Sequence, residues 1–255
     1  MRSNYYGAYV MFKKESSRFI TVWMQTLLSP IISNLLFLAI FGLSLNRSMP
    51  NIEGVSYLQF LVPGLVVMGM MTNAFQNPSS SIIIAKYNDT IRDLLMIPLT
   101  ITNILWAYIF SSVLRGVLVG AITLITSLFF VDMPFENIGL IILATLLINI
   151  VFALLGVLAG IWATEFDRIA GITNFVITPL IYLGGVFYSI SILPPTFQKI
   201  TALNPFSYMI DLIRAGFIGQ SNFRLTHSML FISATIVLLY GLSYYALKSG
   251  YKIKS

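Results

Sequence analysis

Charge is what this sequence has least of. Of its 255 residues only 9% are Asp, Glu, Lys or Arg, while 57% are hydrophobic. Soluble domains carry roughly a quarter charged residues, so a chain this poor in charge cannot cover its surface in water. It belongs in a bilayer, and as a helical bundle, because helices satisfy their own backbone groups in lipid. Cysteine is absent, which excludes disulfides, thiolate nucleophiles and cysteine metal sites. The single histidine, His227, excludes a multi-histidine metal cluster. No glycine is followed by lysine, so there is no phosphate-binding loop and no expectation that this chain hydrolyses ATP by itself. H-E-x-x-H and G-x-S-x-G are also missing, which removes the metalloprotease and common serine hydrolase readings. All nine acidic residues fall in connections or near the ends of apolar runs. Proton-driven carriers place such groups inside their spans, so that class is disfavoured, while sodium coupling through backbone oxygens stays open.

What is present is a series of apolar runs. A spanning helix needs about 20 largely apolar residues. Six segments qualify, at 21–45, 57–81, 103–131, 138–163, 170–190 and 226–247. The expected fold is an all-α membrane protein with six transmembrane helices in one domain covering 1–255. The formal net charge of +6 then reflects basic cytoplasmic loops rather than nucleic-acid binding. Ten Lys and Arg fall in the two termini and the second and fourth connections. Four fall in the opposite loops, namely Arg47, Lys199, Arg214 and Arg224. This asymmetry places both termini in the cytoplasm. No cleavable signal is expected, because charge runs on to Arg18 and no small-residue cleavage site follows.

Residues 1–20 form an amphipathic lead. Tyr5, Tyr9 and Phe12 have helical spacing beside Lys13, Lys14 and Arg18. Such a helix suits the membrane interface and anionic lipid, although an ordinary positive flank explains the same charges. Between the second and third spans lies KYNDTIRDLLMIP, at 86–98. Ile91, Leu94 and Leu95 share one helical face, opposite Asp89, Arg92 and Asp93, and Pro98 stops the helix. A mixed-sign polar face is poorly suited to an anionic membrane and better suited to a protein groove. The loop before the last span, 191–217, is too apolar for a mobile connection. Pro194, Pro195 and Pro205 break it into two expected short helices, about 195–203 and 206–217, dipping back into the outer leaflet.

Arg115 is the one clear charge inside an expected span. It contacts an anionic substrate, pairs with an acid on a neighbouring span, or snorkels from a span that starts later. Two G-x-x-x-G patterns, Gly116 to Gly120 and Gly156 to Gly160, let helices approach closely, within one bundle or at a subunit interface.

With these features assembled, the sequence resembles the permease subunits of ABC type-2 exporters along essentially its whole length. The most specific stretch is TPLIYLGGVFYSISILPPTFQKITALNPFSYMIDLIRAGF, at 178–217. It holds Pro179, Leu180, Gly184, Gly185, Phe187, Pro194, Pro195, Asn204, Pro205 and Arg214 in the family's order. VPGLVVMGM and AFQNPSSSIIIAKYNDTIRDLLMIPLT add to the likeness. The resemblance implies a non-catalytic permease of the bacterial inner membrane. It implies that 86–98 is a coupling helix docking on a separate ATPase subunit, which holds the ATP and Mg, and that two permease chains form the path between them. Asp89, Arg92 and Asp93 are then the expected polar contacts, with Leu94 and Leu95 as the apolar edge. The cargo is left open among a lipid-linked glycan, a drug and a lipid. The rival readings are an ion-coupled carrier and a membrane scaffold, neither needing an ATPase.

Overall fold

The computed structural model describes residues 2–45, 52, 54–90 and 99–250. The described residues are helical, without a named strand. Helix α1, Arg2–Thr21, is followed by a π turn at Met24–Leu28 and by α2, Ser29–Leu45. Then come α3, Tyr57–Tyr87, α4, Ile101–Leu128, and α5, Ile138–Trp162. The next helical stretch is α6, Phe166–Ile172, a second π turn at Thr173–Ile177, and α7, Thr178–Leu183. Two short helices follow, α8, Pro195–Leu203, and α9, Pro205–Ile218, before α10, Leu225–Ser249.

Among the described residues four helices are long and apolar enough to cross a membrane: α3, α4, α5 and α10. The expected first and fifth spans take a different form. Each is interrupted by a π turn, and each π turn is followed after one residue by a proline, Pro30 and Pro179. Proline cannot donate to the carbonyl four residues back, and its ring clashes there. A widened turn just ahead of it relieves the clash. Other boundaries move by a few residues; the second span extends to Tyr87 instead of 81 because no glycine or proline stands between 81 and the turn at Asn88.

Helix α3 is the axis of the bundle. Apolar residues on successive faces, among them Phe60, Leu61, Val67, Met71 and Phe75, are all buried, as expected of a helix surrounded by others. Its start is a capping box: Ser56 accepts from the Gln59 amide at 3.3 Å, and the Gln59 side chain accepts from the Ser56 amide at 3.0 Å. Between helices in lipid the hydrophobic effect is weak, and association rests on close packing and hydrogen bonds. The glycine pairs supply that closeness inside the bundle. A Cβ at Gly156 would meet the Phe75 carbonyl and Pro78 on α3, and one at Gly160 would meet Ser79 and Ile82. Gly116 faces Asn149 and Met70, and Gly120 faces Met70. Helix α10, by contrast, buries a single stripe, Ser228, Ile232, Leu239, Ser243 and Leu247, and turns Leu230, Val237 and Tyr245 outward.

Candidate functional site: a polar seam and the cleft beside it

A band of polar side chains crosses this apolar bundle where α1, α3 and α4 meet. On α3, Asn73 and Asn77 stand one turn apart, just before Pro78, and therefore on one face. On α4, Ser111, Ser112 and Arg115 face them, and Glu15 and Arg18 come from α1. Arg18 donates to the Asn77 carbonyl (2.5 Å), the Asn77 side-chain oxygen (3.1 Å) and Ser80 Oγ (3.0 Å). It also pairs with Glu15 at 3.3 Å. Ser81 donates to the other Glu15 oxygen at 2.8 Å. Asn77 Nδ2 donates to Ser111 Oγ at 3.0 Å. Asn77, Ser111 and Ser112 are fully buried, and Glu15 is 2% exposed. Buried polar groups are costly unless bonded, and these bond chiefly to one another.

The sequence reading placed Glu15 in a lead ahead of the first span, with no role beyond it. The fold instead carries α1 against α3 and α4. Met11 joins the apolar cluster around Ile104, Leu105 and Tyr108, and Tyr5, Tyr6 and Tyr9 stay exposed. Asn73 and Asn77 were also missed, although the run NAFQNPSSS carried the signal. Carboxamides inside an apolar span need partners.

Arg115 is 8% exposed. Its Nε donates to Asn73 Oδ1 at 3.2 Å. Among the described residues it makes no ion pair, unlike Arg18, which pairs with Glu15. The expected pairing with an acid from a neighbouring span is therefore not made among the described residues. Snorkelling is not seen either, because Arg115 is the fifteenth of the 28 residues of α4, about 20 Å from either end at 1.5 Å per residue.

Asn73 also lines a cleft of about 330 Å³ between α2, α3 and the α6–α7 stretch. Ser33 and Asn34 contribute from α2, Thr72 and Gln76 from α3, and Asn174 and Thr178 from the π-turn region. No charged side chain lines it. Both interrupted helices thus border this one cleft. Phe37 and Tyr182 form part of its wall and belong to an aromatic cluster with Phe41 and Phe187. Their ring centroids lie 5.5 Å (Phe37–Phe187) and 5.3 Å (Tyr182–Phe187) apart.

The motif at 178–217 folds into one unit around the end of α7. The last carbonyls of a helix lack intrahelical donors. Asn204 Nδ2 donates to the Leu180 carbonyl at 2.6 Å, while its Oδ1 caps α9 by accepting from the Phe206 amide at 3.0 Å. Pro205 and Pro195 begin α9 and α8 in the first helical turn, where a missing N–H costs nothing. Pro194 is the N-cap of α8. From the far end of α9, Arg214 donates to the Gly185 carbonyl at 2.8 Å, its guanidinium 3.8 Å from the Phe60 ring centroid. Gly185 sits at φ 91°, where a side chain is strained, and a Cβ at Gly184 would collide with Ile210. Asp211, which the sequence did not single out, accepts from Ser221, Asn222 and Phe223 and holds the turn into α10. Arg214→Leu should lower stability by about 2–3 kcal/mol, the worth of a buried charge-assisted bond. A thermal melt of the purified chain in detergent would read this, and an unchanged melt would remove Arg214 from that role.

Of the expected docking segment, Lys86 and Tyr87 belong to the last turn of α3 rather than to a separate helix. The reason is visible in the contacts. Lys86 Nζ donates to the carbonyls of Ile161 and Ala163 (the latter at 2.9 Å), closing the end of α5. Asp89 follows in a turn at φ 55°, a region that Asp tolerates better than most residues. Arg92, Asp93, Leu94 and Leu95 lie outside the described residues.

Helices long and apolar enough to cross a membrane, packed beside a polar cleft, fit a multi-pass membrane protein. Comparison with known proteins makes this specific: residues 6–218 match the ABC-2 type transporter family. The chain is 38% identical to the inner membrane transport permease YadH of Escherichia coli (strain K12) over 245 residues, 96% of each chain. It is 28% identical to nodulation protein J of Neorhizobium galegae and of Rhizobium leguminosarum bv. viciae over 208 residues, 78% of each chain. The chain belongs to the ABC-2 type transporter family.

Proposed function

We propose that this chain is the permease subunit of an ATP-driven exporter of the bacterial inner membrane. It pairs with a second permease chain and with a separate ATPase subunit that binds ATP and Mg. Helix α2 and the α6–α7 stretch complete six crossings, both termini face the cytoplasm, and residues 191–217 re-enter the outer leaflet. The observation that carries this reading is the uncharged polar cleft between α2, α3 and the π-turn region. Its hydroxyls and carboxamides offer hydrogen bonds to a polar cargo. Ile32, Leu36, Phe175 and Val176 turn apolar surface outward on the same two helical stretches, which suits a second copy closing the path. The cargo is an amphiphile: a lipid, a lipid-linked glycan or a drug.

In this scheme residues 86–98 couple the two subunits. Asp89, Arg92 and Asp93 make polar contacts with the ATPase, and Leu94 and Leu95 fill its groove. Nucleotide state acts by changing the relative energies of two permease arrangements. Helix α3 leads from the cleft into this segment, so a push there reaches Asn73 and Gln76 through one continuous helix. Leu94→Asp should leave membrane insertion intact and abolish co-purification of the ATPase. Undiminished co-purification would remove the coupling role of this segment. Transport by the chain alone in liposomes, driven by an ion gradient, would overturn the ATP-driven reading itself.

A further inference from the structure

A groove of about 680 Å³ runs between α1 and α4 and shares no lining residue with the cleft. Helix α1 climbs along α4: Gly7 lies against Leu99, and Met11 packs with Ile104, Leu105 and Tyr108. Tyr5, Tyr9 and Phe12 line the groove from α1, and Trp106, Phe110 and Leu114 line it from α4. The α4 wall is preformed, because Trp106 stacks on Phe110 at 5.3 Å and meets Tyr240 at 6.0 Å between ring centroids. Along α4 the groove runs from Asn103 to Val117, about 21 Å at 1.5 Å per residue. One leaflet's share of the hydrocarbon core is about 15 Å, so the groove is long enough for a whole acyl chain. Helix α4 is apolar and long enough to cross a membrane, and Phe110 is 55% exposed, so the groove opens on hydrocarbon.

The rim of this groove is basic. Tyr5, Tyr9 and Lys13 stand four residues apart, in one row along α1. Helical side chains lean back toward the N-terminus, so the Lys13 stem covers the turn of Tyr9, a groove residue. Lys13 and Lys14 are exposed and make no ion pair among the described residues. Glu15, the one acid of α1, is buried and paired with Arg18, and the first turn of α4 carries no acid. We propose that the groove binds an acyl chain of a resident anionic phospholipid, with the headgroup on Lys13 and Lys14 beside the Tyr5 and Tyr9 hydroxyls. An apolar channel with a basic, tyrosine-lined mouth matches such a lipid from end to end, and basic residues near a membrane surface attract anionic headgroups. A lipid seated there fills the gap between α1 and α4 and steadies the helix that brings Glu15 and Arg18 to the seam. The inference does not depend on the cleft being the cargo path or on coupling to an ATPase.

The chain's own tryptophans supply the test. Trp23→Phe with Trp162→Phe leaves Trp106, in the groove wall, as the sole indole. The purified full chain is placed in phosphatidylcholine vesicles doped with a phospholipid brominated on its acyl chains, which quenches an indole only at close range. Brominated phosphatidylglycerol should reach a given quenching of Trp106 at about one-fifth the amount of brominated phosphatidylcholine, the factor that one lysine near an anionic surface supplies. Lys13→Gln with Lys14→Gln should bring the two lipids level; both side chains are exposed, so the bundle should stay intact on gel filtration. Ala8→Phe, which fills the groove from α1, should also abolish the preference while ordinary quenching by boundary lipid remains. Equal quenching by the two lipids in the chain with both lysines would overturn the proposal, as would a preference that survives either change. Trp106 shielded from both lipids would assign the groove to a second copy of the chain and overturn it as well. If the single-tryptophan chain does not fold, the same ranking on the chain with all three tryptophans, before and after the lysine changes, still decides.

Discussion

Gly156→Leu should leave the chain unable to form its bundle. A Cβ at that position would lie 2.2 Å from the Phe75 carbonyl oxygen and 2.8 Å from Pro78 Cγ. The first is backbone and the second a rigid ring, so neither can swing aside. Overpacking a core costs about 1–3 kcal/mol where side chains can shift; here α3 and α5 must separate, and the cost should exceed that range. Separation would also break the contacts that Gly160 makes one turn on. The expected result is aggregation or a broad profile on gel filtration in detergent. Gly241→Leu is the matched control. Nothing lies within 4 Å of a Cβ there, on the outward face of α10, and it should elute normally. A normal profile for Gly156→Leu would mean that α3 and α5 do not meet through this glycine.

The second large effect lies in the seam. Arg18→Ala removes the donor that covers the Asn77 carbonyl and leaves the Glu15 carboxylate buried without a cation. Breaking a buried pair from one side costs about 3–5 kcal/mol, and the lower end applies because the Arg18 side chain is 25% exposed. Glu15→Gln alone should cost less, since the amide still accepts from Ser81 and Arg18 keeps Asn77. The double variant should be less destabilised than the sum of the singles by about 1–3 kcal/mol. Stability curves in mixed micelles would read all three. Strict additivity would show that the two residues do not share one network.

Much of this architecture was legible from composition and period. α3, α4, α5 and α10 are apolar runs of the length a helix needs to span, and a helix satisfies its own backbone groups in lipid. The two short helices before the last span were legible as well, because Pro195 and Pro205 sit where a proline starts a helix and cannot continue one. The two glycine pairs announced close packing without saying between which helices. Hydropathy read the first and fifth spans as plain segments, since a π turn leaves no trace in an apolar average. Pro30 and Pro179 were the only local sign of it. Lys86 was read as the opening of a separate helix because its charge contrasts with what precedes it. Its partners are carbonyls 75 and 77 residues away, which no local window can see.

The sequence by itself determined the membrane class, the long helices, the breaks before the last span and the resemblance to a transporter family. These follow from local quantities: apolar run length, proline and glycine placement, and the order of a motif. Only the tertiary structure decided which polar groups meet. Glu15 and Asn77 are 62 residues apart, and Arg115 stands 42 residues from Asn73; α4 had to pack on α3 before Arg115 met Asn73, and α1 had to fold back onto α3 before Glu15 met Ser81 and Arg18 met Asn77. The same packing left Arg115 with no acidic partner among the described residues. The cost of a buried charge depends on everything around it, so Arg115 was visible as a residue in the sequence and its bond to Asn73 only in the fold.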